Sequence, residues 1–482
     1  MGILQNYEPK NVFKFFEKIC TIPRGSGNTD AIAEYLVNFA KERGLYNYRD
    51  EANNVIIRKP ATPGYEDADT IILQGHHDMV CEKVADLDFD FTKDAIVPVV
   101  DGDYIKTNGT TLGADNGIAV AMMLAILDDD TIEHPEIECL ITADEEIGLI
   151  GAFALDCSQL KGHKLINLDS EDEGILMCSC AGGVNVRSIV PVERTTLKGL
   201  QLSFEINGLK SGHSGVEIDK GRANANVLVG RILYALNEEF GLNIVSIEGG
   251  SRETAIANAA KVYVLVNPDY ANAAYEKVVE IGSIFKKEYT TAEPDIDVIV
   301  TMGDILETEA ITKESSEKIT YVINALPDAV QAMSIDFPGL VQTSLNFGVL
   351  KLEDKQLTLC NTVRSSMTSQ KNWISTKVSS IVKLAGGKTV LQGNYPGWAF
   401  NPKSEVSDII LKAYKKLFNK EAKVDAVHAG IECGLFADAI ENLDAVSIGP
   451  TMGDVHTPNE HLSISSTERT YKLIVEVLKC AK

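Results

Sequence analysis

Apolar residues recur along the chain with two different periods, and these periods predict which segments are helices and which are strands. In residues 1–184, segments with helical spacing alternate with short apolar segments such as TIILQ, IECLIT and KLINL; the helices are predicted at 8–20, 29–43 and 116–128. Such alternation is typical of βαβ units. The sequence therefore predicts an α/β domain with a mostly parallel, mixed sheet and helices on both faces.

A different pattern begins after the AGGVNVR segment at 181–187. Strands with alternating apolar and polar residues, such as LQLSFEING and QLTLCNTV, are separated there by amphipathic segments, which predict helices near 222–236, 270–287 and 370–385. Alternation with a period of two is typical of an antiparallel sheet with one exposed face. This part of the chain is predicted to form an α+β domain.

The last part of the chain returns to the first pattern. A turn-rich segment, NYPGWAFNP, precedes a predicted strand at DAVSIG and predicted helices at 404–418 and 465–480. We therefore predict a discontinuous domain of residues 1–184 and 392–482, with residues 185–391 inserted as a second domain. A length of 482 residues agrees with two domains, because single cores stop growing at about 250–300 residues.

Composition and charge exclude several classes of protein. A net charge of −24 argues against a nucleic-acid partner or an anionic membrane. The chain has no apolar run near the ~20 residues of a membrane span, and its first residues form an amphipathic pattern unlike a signal peptide. The nine cysteines are an odd number, mostly in hydrophobic stretches, which is typical of a reducing compartment. We predict a cytoplasmic protein.

Residues able to bind a divalent metal follow four of the predicted strands. TIILQ is followed by His76 and Asp78, IECLIT by Glu145 and Glu146, KLINL by Asp169, and DAVSIG by the loop that contains His456. A further carboxylate, Asp115 in TLGADNG, precedes a predicted helix. Because ligands of α/β sheets bind outside the carboxyl ends of the strands, we expect these side chains to meet at one edge.

This set matches what two metal ions with a shared carboxylate require, which is two imidazoles and three carboxylates: His76, His456, Asp115, Glu146 and Asp169. Nitrogen and oxygen ligands favour zinc, with manganese or cobalt as possible substitutes. Asp78 lies two residues after His76 on the same face of an extended segment, so it can accept a hydrogen bond from the other imidazole nitrogen. The adjacent Glu145 and Glu146 point differently, which leaves one of them free to act on a metal-bridging water as general base.

The segments GHHDMV, TLGADNG, TADEEIG, NLDSED and MGDVHTPNE resemble, in this order, the motifs of bacterial aminoacyl-histidine dipeptidases, which are Xaa-His or β-alanyl-histidine dipeptidases of the co-catalytic zinc aminoacylase and carboxypeptidase clan. The resemblance implies hydrolysis of small peptides by a dinuclear metal site. It implies that His76 and Asp169 hold one ion, that Glu146 and His456 hold the other, and that Asp115 bridges them. It also implies that Glu145 is the general base and that Asp78 orients His76.

The resemblance extends to the inserted domain, which in the family is a lid that also forms a homodimer. It implies that His213 in SGHSG polarises the scissile carbonyl, that Arg364 in NTVRSS binds the C-terminal carboxylate of the substrate, and that Gly430 in HAGIECG makes a backbone contact near the substrate. The sequence departs from the family at Thr254 and Asn258, where relatives have an asparagine and an arginine. This departure bears on the preference for a C-terminal histidine.

Two other functions fit the same residues. One is another small-amide hydrolase of the clan, an N-acyl amino acid deacylase or a tripeptidase, which would differ in the pocket for the N-terminal part of the substrate. The other is a metal-dependent peptide-binding protein without turnover. The intact Glu145 favours an enzyme, because this residue is not needed to hold metal.

Overall fold

The computed structural model describes residues 2–482, which form two compact units. Unit 1 contains the chain up to Ser179, Trp398–Ala426 and Ile431–Lys482, and unit 2 contains Cys180–Gly397 and Val427–Gly430. The sequence predicts boundaries at 184 and 392 and places 427–430 in the first domain, whereas the packing groups this short segment with unit 2. The functional roles of the two domains stay predictions.

Eleven α-helices occur in the described residues, and they are numbered here along the chain: α1 Lys10–Cys20, α2 Asp30–Glu42, α3 Ala114–Asp128, α4 Ile150–Ala154, α5 Ala225–Phe240, α6 Ala271–Glu288, α7 Lys313–Ala325, α8 Thr368–Leu384, α9 Glu405–Phe418, α10 Cys433–Ala439 and α11 Ile464–Cys480. The helix α7 is absent from the sequence prediction. Its sequence, KESSEKITYVINA, is mostly polar, and its apolar stripe, Ile319, Val322 and Ile323, is narrow.

The strands are numbered in the same way: β1 Tyr46–Arg49, β2 Val55–Lys59, β3 Ile71–His76, β4 Val99–Asp101, β5 Tyr104–Lys106, β6 Ile137–Thr142, β7 Lys164–Asn167, β8 Ile175–Cys180, β9 Gly182–Pro191, β10 Arg194–Asn207, β11 Asn243–Gly249, β12 Ala260–Val266, β13 Asp297–Ile311, β14 Ala329–Met333, β15 Val341–Leu352, β16 Gln356–Ser365, β17 Lys388–Tyr395, β18 Lys423–Val427, β19 Asp444–Ser447, β20 Met452–Gly453 and β21 His461–Ser463.

The sheet of unit 1 has eight strands in the order β1-β2-β6-β3-β7-β19-β8-β18. The central pairs β6–β3, β3–β7 and β7–β19 are parallel, whereas β1–β2, β2–β6 and β19–β8 are antiparallel. The sheet is therefore mixed with a parallel centre, and the α/β class is confirmed. Because β19 pairs with β7, the C-terminal part of the chain completes the sheet begun by the N-terminal part.

The apolar sequence of α3 places this helix in the core of unit 1. Every residue from Asn116 to Leu127 is buried, and the helix packs against α1 and β3. The amphipathic α9 instead covers the sheet with one face, against β7 and β19. The Ser404 hydroxyl caps the first turn of α9 by accepting the N–H of Ser407 at 2.9 Å, and Asn419 ends the helix in the left-handed conformation.

Unit 2 is built on a nine-stranded sheet whose main order is β13-β10-β12-β11-β15-β16-β9-β17, with β14 paired to β15. All of its recorded pairings are antiparallel, as the alternation of apolar and polar residues predicts. The strand β13 forms one edge. Among residues 2–482, no helix is both long and apolar enough to cross a membrane.

Candidate functional site

Three neighbouring parallel strands of unit 1 bring most of the predicted metal ligands to one edge of the sheet. The strand β3 ends at His76, β6 ends three residues before Glu145, and β7 ends two residues before Asp169. Since β6, β3 and β7 are adjacent and parallel, the residues that follow them lie side by side.

The remaining two ligands reach this edge from other segments. Asp115 lies in the first turn of α3, where its backbone is not helical (φ −77°, ψ 106°). His456 lies in the loop between β20 and β21 and has a positive φ of 61°. Both side chains join the residues at the strand ends.

The two oxygens of Asp115 face two different imidazoles. Its Oδ1 lies 3.1 Å from Nε2 of His76, which also lies 3.5 Å from Oδ1 of Asp169. Its Oδ2 lies 3.0 Å from Nε2 of His456, which also lies 3.0 Å from Oε2 of Glu146. The five predicted ligands therefore form two groups of nitrogen and oxygen atoms that share one carboxylate.

These separations fit divalent cations. Ligand atoms of His76, Asp115 and Glu146 lie within 4.8 Å of one another. At zinc–ligand bond lengths of about 2.0–2.2 Å, tetrahedral ligand atoms are about 3.3–3.6 Å apart. The side chains of Asp115 and Glu146 are only 13% and 6% exposed, and Oε1 of Glu146 is buried without a hydrogen-bond partner. A cation in the cluster would offset the repulsion and lost hydration of these carboxylates.

Asp78 connects one ligand to the loop that carries the glutamate pair. Its Oδ1 lies 3.3 Å from Nδ1 of His76 and accepts the N–H of Glu145 at 3.1 Å, while Oδ2 accepts the Ser26 hydroxyl at 2.8 Å. Burial alone would raise the pKa of Asp78, but the imidazole and these donors hold it below its usual range. Asp78 is therefore an ionised carboxylate that lies beside the imidazole of His76.

Glu145 lies beside the cluster in a protein environment that disfavours its charge. Burial raises the pKa of Glu145, and the carboxylates of Asp169, Glu432 and Glu146 raise it further, whereas His76 lowers it. A carboxyl group with a raised pKa can both take up and release a proton near neutral pH. Its surroundings therefore favour the protonated form of the Glu145 carboxyl group.

A buried polar network lies beneath the strand ends. Oε2 of Glu432 accepts hydrogen bonds from Gln74 at 2.6 Å and from the Thr142 hydroxyl at 2.8 Å. Gln74 in turn accepts from Asn167, whose Oδ1 accepts the backbone N–H of Asp169. The network holds the ends of β3, β6 and β7 in register. The neighbouring His77 points away from the cluster to the carbonyl of Asn53.

In unit 2, the surroundings of His213 fix its tautomer. Its Nδ1 accepts the backbone N–H groups of Gly215 at 3.2 Å and Val216 at 3.3 Å. Since a backbone N–H can only donate, the proton of a neutral His213 must be on Nε2. Burial and the charge of Arg364 lower the pKa of His213, so the neutral form is favoured. The loop therefore presents the Nε2–H donor of an imidazole that is only partly buried.

Arg364 is a guanidinium with an incomplete set of partners. It lies in β16, is 7% exposed, donates from Nη1 to the Tyr395 hydroxyl at 3.0 Å, and has a buried Nε without a hydrogen-bond partner. Burial and the charge of Arg364 lower the pKa of His428, whose Nε2 lies 2.7 Å from the Ser344 hydroxyl. The buried Nε of Arg364 is thus a charged donor available to an anion.

Thr254 and Gly430 lie close to these groups in unit 2. The carbonyl of Thr254 accepts the N–H of Ser214 at 2.9 Å, and the exposed Thr254 side chain thus belongs to the loop that pairs with the His213 segment. A Cβ atom at Gly430 would lie 2.8 Å from the Tyr395 ring, which a larger residue would displace.

Several residues around these sites are not predicted from the sequence: Arg24, Ser26, Tyr395, His428, Glu432 and Glu460. Tyr395 lies in a turn-rich segment, and His428 and Glu432 flank Gly430 without a spacing of their own. The one sequence signal for His428 and Glu432 is their place in HAGIECG, close to Gly430, to which the resemblance assigns a substrate contact.

A known protein family matches the part of the chain that contains the predicted metal ligands. The model of peptidase family M20/M25/M40 matches residues 72–479. The chain is 38% identical over 481 residues to the cytosol non-specific dipeptidase of Escherichia coli K12, covering 99% of both chains.

Solved structures of other peptidases are similar to this one. The crystal structure of aminoacylhistidine dipeptidase from Vibrio alginolyticus superposes with a TM-score of 0.93 at 36% identity, covering 99% of this chain and 98% of that one. Aminopeptidase PepT from Bacillus cereus, at 16% identity and a TM-score of 0.57 over 98% of both chains, shares the fold. The family match includes the strand ends, both histidines of the metal cluster and the residues of unit 2. Because relatives also align along the whole chain, we conclude that this protein belongs to peptidase family M20/M25/M40.

Proposed function

We propose that this peptidase hydrolyses dipeptides and uses two divalent cations to do so. Zinc is the metal that we favour. One observation carries the proposal: Asp115 directs its two oxygens to two imidazoles, each of which faces a second carboxylate. The names of two relatives, a non-specific dipeptidase and an aminoacylhistidine dipeptidase, support the substrate class.

The ligand set supports the choice of metal. In this proposal His76 and Asp169 would hold one cation, His456 and Glu146 would hold the other, and Asp115 would be the ligand shared by both. Imidazole and carboxylate ligands without a thiolate suit zinc, and they also accept manganese or cobalt. Two such cations would polarise the scissile carbonyl and lower the pKa of water at the site.

The protein's own residues then move the proton. Glu145 takes a proton from the attacking water as general base and later donates it to the leaving amine. The raised pKa of Glu145 in the metal-free protein supports this role, because cations in the cluster would lower it again towards the neutral range. Asp78 keeps Nε2 of His76 turned towards the cluster by its contact with Nδ1.

Unit 2 supplies substrate-binding groups in this proposal. The Nε2–H of His213 donates to the carbonyl oxygen on which negative charge develops. Arg364 pairs with the C-terminal carboxylate of the dipeptide, and its unpartnered Nε and the nearby Tyr395 hydroxyl support a second contact. The backbone of Gly430 contacts the substrate.

Thr254 contributes to specificity. Its hydroxyl can make one hydrogen bond, but it is shorter than the asparagine that the resemblance implies for this position. We propose that this shorter reach broadens the choice of C-terminal residue beyond histidine. The word "non-specific" in the name of the Escherichia coli relative agrees with a broad choice.

We further propose a cytoplasmic homodimer formed through unit 2. The edge strand β13 carries exposed apolar side chains, with Ile299 48%, Met302 37% and Ile305 53% exposed. An unpaired edge with apolar residues is a surface on which a second copy can add its own strand.

The deciding experiment is a substrate panel. Protein loaded with zinc, manganese or cobalt is assayed on dipeptides with different C-terminal residues, on tripeptides and on N-acyl amino acids. Dipeptides should be cleaved with the highest kcat/KM. A preference for N-acyl amino acids or tripeptides would replace the proposal by one of these activities, and peptide binding without cleavage under all metals would identify a binding protein.

A further inference from the structure

Glu460 holds the segment that leads to Asp115. Its carboxylate accepts four consecutive backbone N–H groups: Oε2 those of Leu112 at 2.7 Å and Gly113 at 2.9 Å, and Oε1 those of Ala114 at 2.7 Å and Asp115 at 3.3 Å. Glu460 is 2% exposed. Four N–H donors on one buried carboxylate fix the backbone at the residue that carries the shared ligand.

Arg24 holds the other side of the same segment. It is also 2% exposed, and it donates from Nη1 to the carbonyls of His77 and Asp78, both at 3.0 Å, and from Nη2 to the carbonyl of Gly113. One guanidinium therefore ties the chain that follows β3 to the chain that precedes α3.

Two glycines provide the room for this guanidinium. A Cβ atom at Gly113 would lie 2.4 Å from Nη2 of Arg24, and one at Gly117 would lie 2.5 Å from it. Gly113 also has a φ of +68°, which disfavours larger residues. The TLGADNG motif thus needs its glycines to let the arginine reach the backbone.

Three ligand-bearing segments are linked in this way. Arg24 contacts the segment that follows His76 and the segment that precedes Asp115, and Glu460 lies four residues after His456 in the same loop. The opposite charges of Arg24 and Glu460 attract each other within the core, which offsets part of the cost of burying both.

We propose that Arg24 and Glu460 are positioning residues that set the orientation of the Asp115 carboxylate between the two groups of ligands. The inference rests on the proposed function, because it assumes that these groups hold metal. Neither residue would touch a cation or the substrate. They act through the backbone, so that Oδ1 and Oδ2 of Asp115 stay directed to different imidazoles.

The test compares zinc binding in the full-length protein and in variants. Glu460→Gln keeps the size of the side chain but turns an amide N–H₂ towards backbone N–H donors. Glu460→Asp keeps the charge but reaches fewer of them. The matched control is Glu293→Gln in unit 2, because Glu293 is also a fully buried carboxylate that accepts two backbone N–H groups, of Lys210 and Ala223.

Zinc affinity is measured by competition with a chelating dye, and the cobalt-loaded protein is measured by visible absorption. Glu460→Gln should weaken zinc binding about 10–100-fold and change the cobalt spectrum. Glu460→Asp should have a zinc affinity between those of the wild type and Glu460→Gln. Glu293→Gln should keep the wild-type affinity and spectrum even where it lowers the melting temperature. If Glu460→Gln does not fold, Glu460→Asp and Arg24→Lys are judged by the same criteria.

Two results would overturn the inference. One is unchanged zinc affinity and an unchanged cobalt spectrum in the folded Glu460 variants. The other is an equal loss of affinity in Glu293→Gln, which would make the effect one of general stability. Wild-type protein that binds no zinc, manganese or cobalt would instead overturn the proposed function together with this inference.

Discussion

Oδ2 of Asp115 lies 3.0 Å from Nε2 of His456, although 341 residues separate the two in the sequence. The other oxygen of Asp115 lies against His76. A carboxylate shared in this way belongs to both groups of ligands, whereas His456 belongs to one. The two residues should therefore respond differently to removal.

Asp115→Ala should deplete both metal ions, and His456→Ala should deplete mainly one. Elemental analysis of zinc-loaded protein after dialysis measures the number of ions that each variant retains. His163→Ala is a suitable control, because His163 contacts the carbonyl of Glu441 and is not part of the cluster. Retention of both ions by Asp115→Ala would contradict the bridging role.

Glu145→Gln should separate metal binding from turnover. The amide preserves the shape of the side chain but cannot accept a proton from water, so kcat should fall by ~10²–10⁴-fold while the metal content stays unchanged. Both quantities are measured on one preparation. A parallel loss of metal and activity would identify Glu145 as a ligand and would require another proton acceptor.

Binding of zinc to the metal-free protein should release protons at pH 7. The carboxylates of Asp115 and Glu146 raise the pKa of His456 to about 11, so the metal-free imidazole is charged at neutral pH, whereas a metal ligand must be neutral. Zinc binding should thus weaken as the pH falls. Calorimetry in buffers of different ionisation enthalpy counts the protons, and His456→Ala should release fewer. Equal release from both proteins would show that His456 binds no metal.

Much of this site could be predicted because its residues follow strands. The apolar segments TIILQ, IECLIT and KLINL mark the strand ends, and parallel strands bring the following residues together, so that His76, Glu146 and Asp169 lie at one edge of the sheet. The α/β class was predictable for the same reason. Only packing in three dimensions reveals that a loop residue such as Tyr395 reaches Arg364.

The supporting residues could not be predicted because their contacts are to backbone atoms of distant segments. Arg24 in a Gly- and Ser-containing loop and Glu460 in a polar loop have the sequence context of exposed residues, yet both are buried. Their partners are carbonyl and N–H groups, which carry no side-chain pattern. The helix α7 was missed for a related reason, since its packing against unit 2 compensates for a mostly polar sequence.

Substitution on the edge strand β13 should dissociate the proposed dimer. Ile305→Lys places a charge on the apolar surface of this strand, so sedimentation velocity should show a shift from dimer to monomer at a given protein concentration. The control is Val390→Lys on β17, the opposite edge of the same sheet, where Val390 is 58% exposed. A dimer that survives Ile305→Lys, or dissociates with Val390→Lys alone, would place the contact elsewhere.

Removal of the Arg364 guanidinium should weaken recognition of the C-terminal carboxylate of the substrate. Loss of one partner of a buried charge pair costs about 2–5 kcal/mol, so Arg364→Ala should lower kcat/KM steeply for free dipeptides. Dipeptide C-terminal amides lack this charge. The difference in kcat/KM between free dipeptides and their amides should therefore be smaller in Arg364→Ala than in the wild type. Arg187→Ala serves as the control, because Arg187 lies in β9 of the same sheet, is paired with Glu253 and has a side chain that is 52% exposed. If Arg364→Ala cleaves free dipeptides as efficiently as the wild type, its incomplete hydrogen bonding in β16 has a structural cause and the carboxylate is bound by other groups.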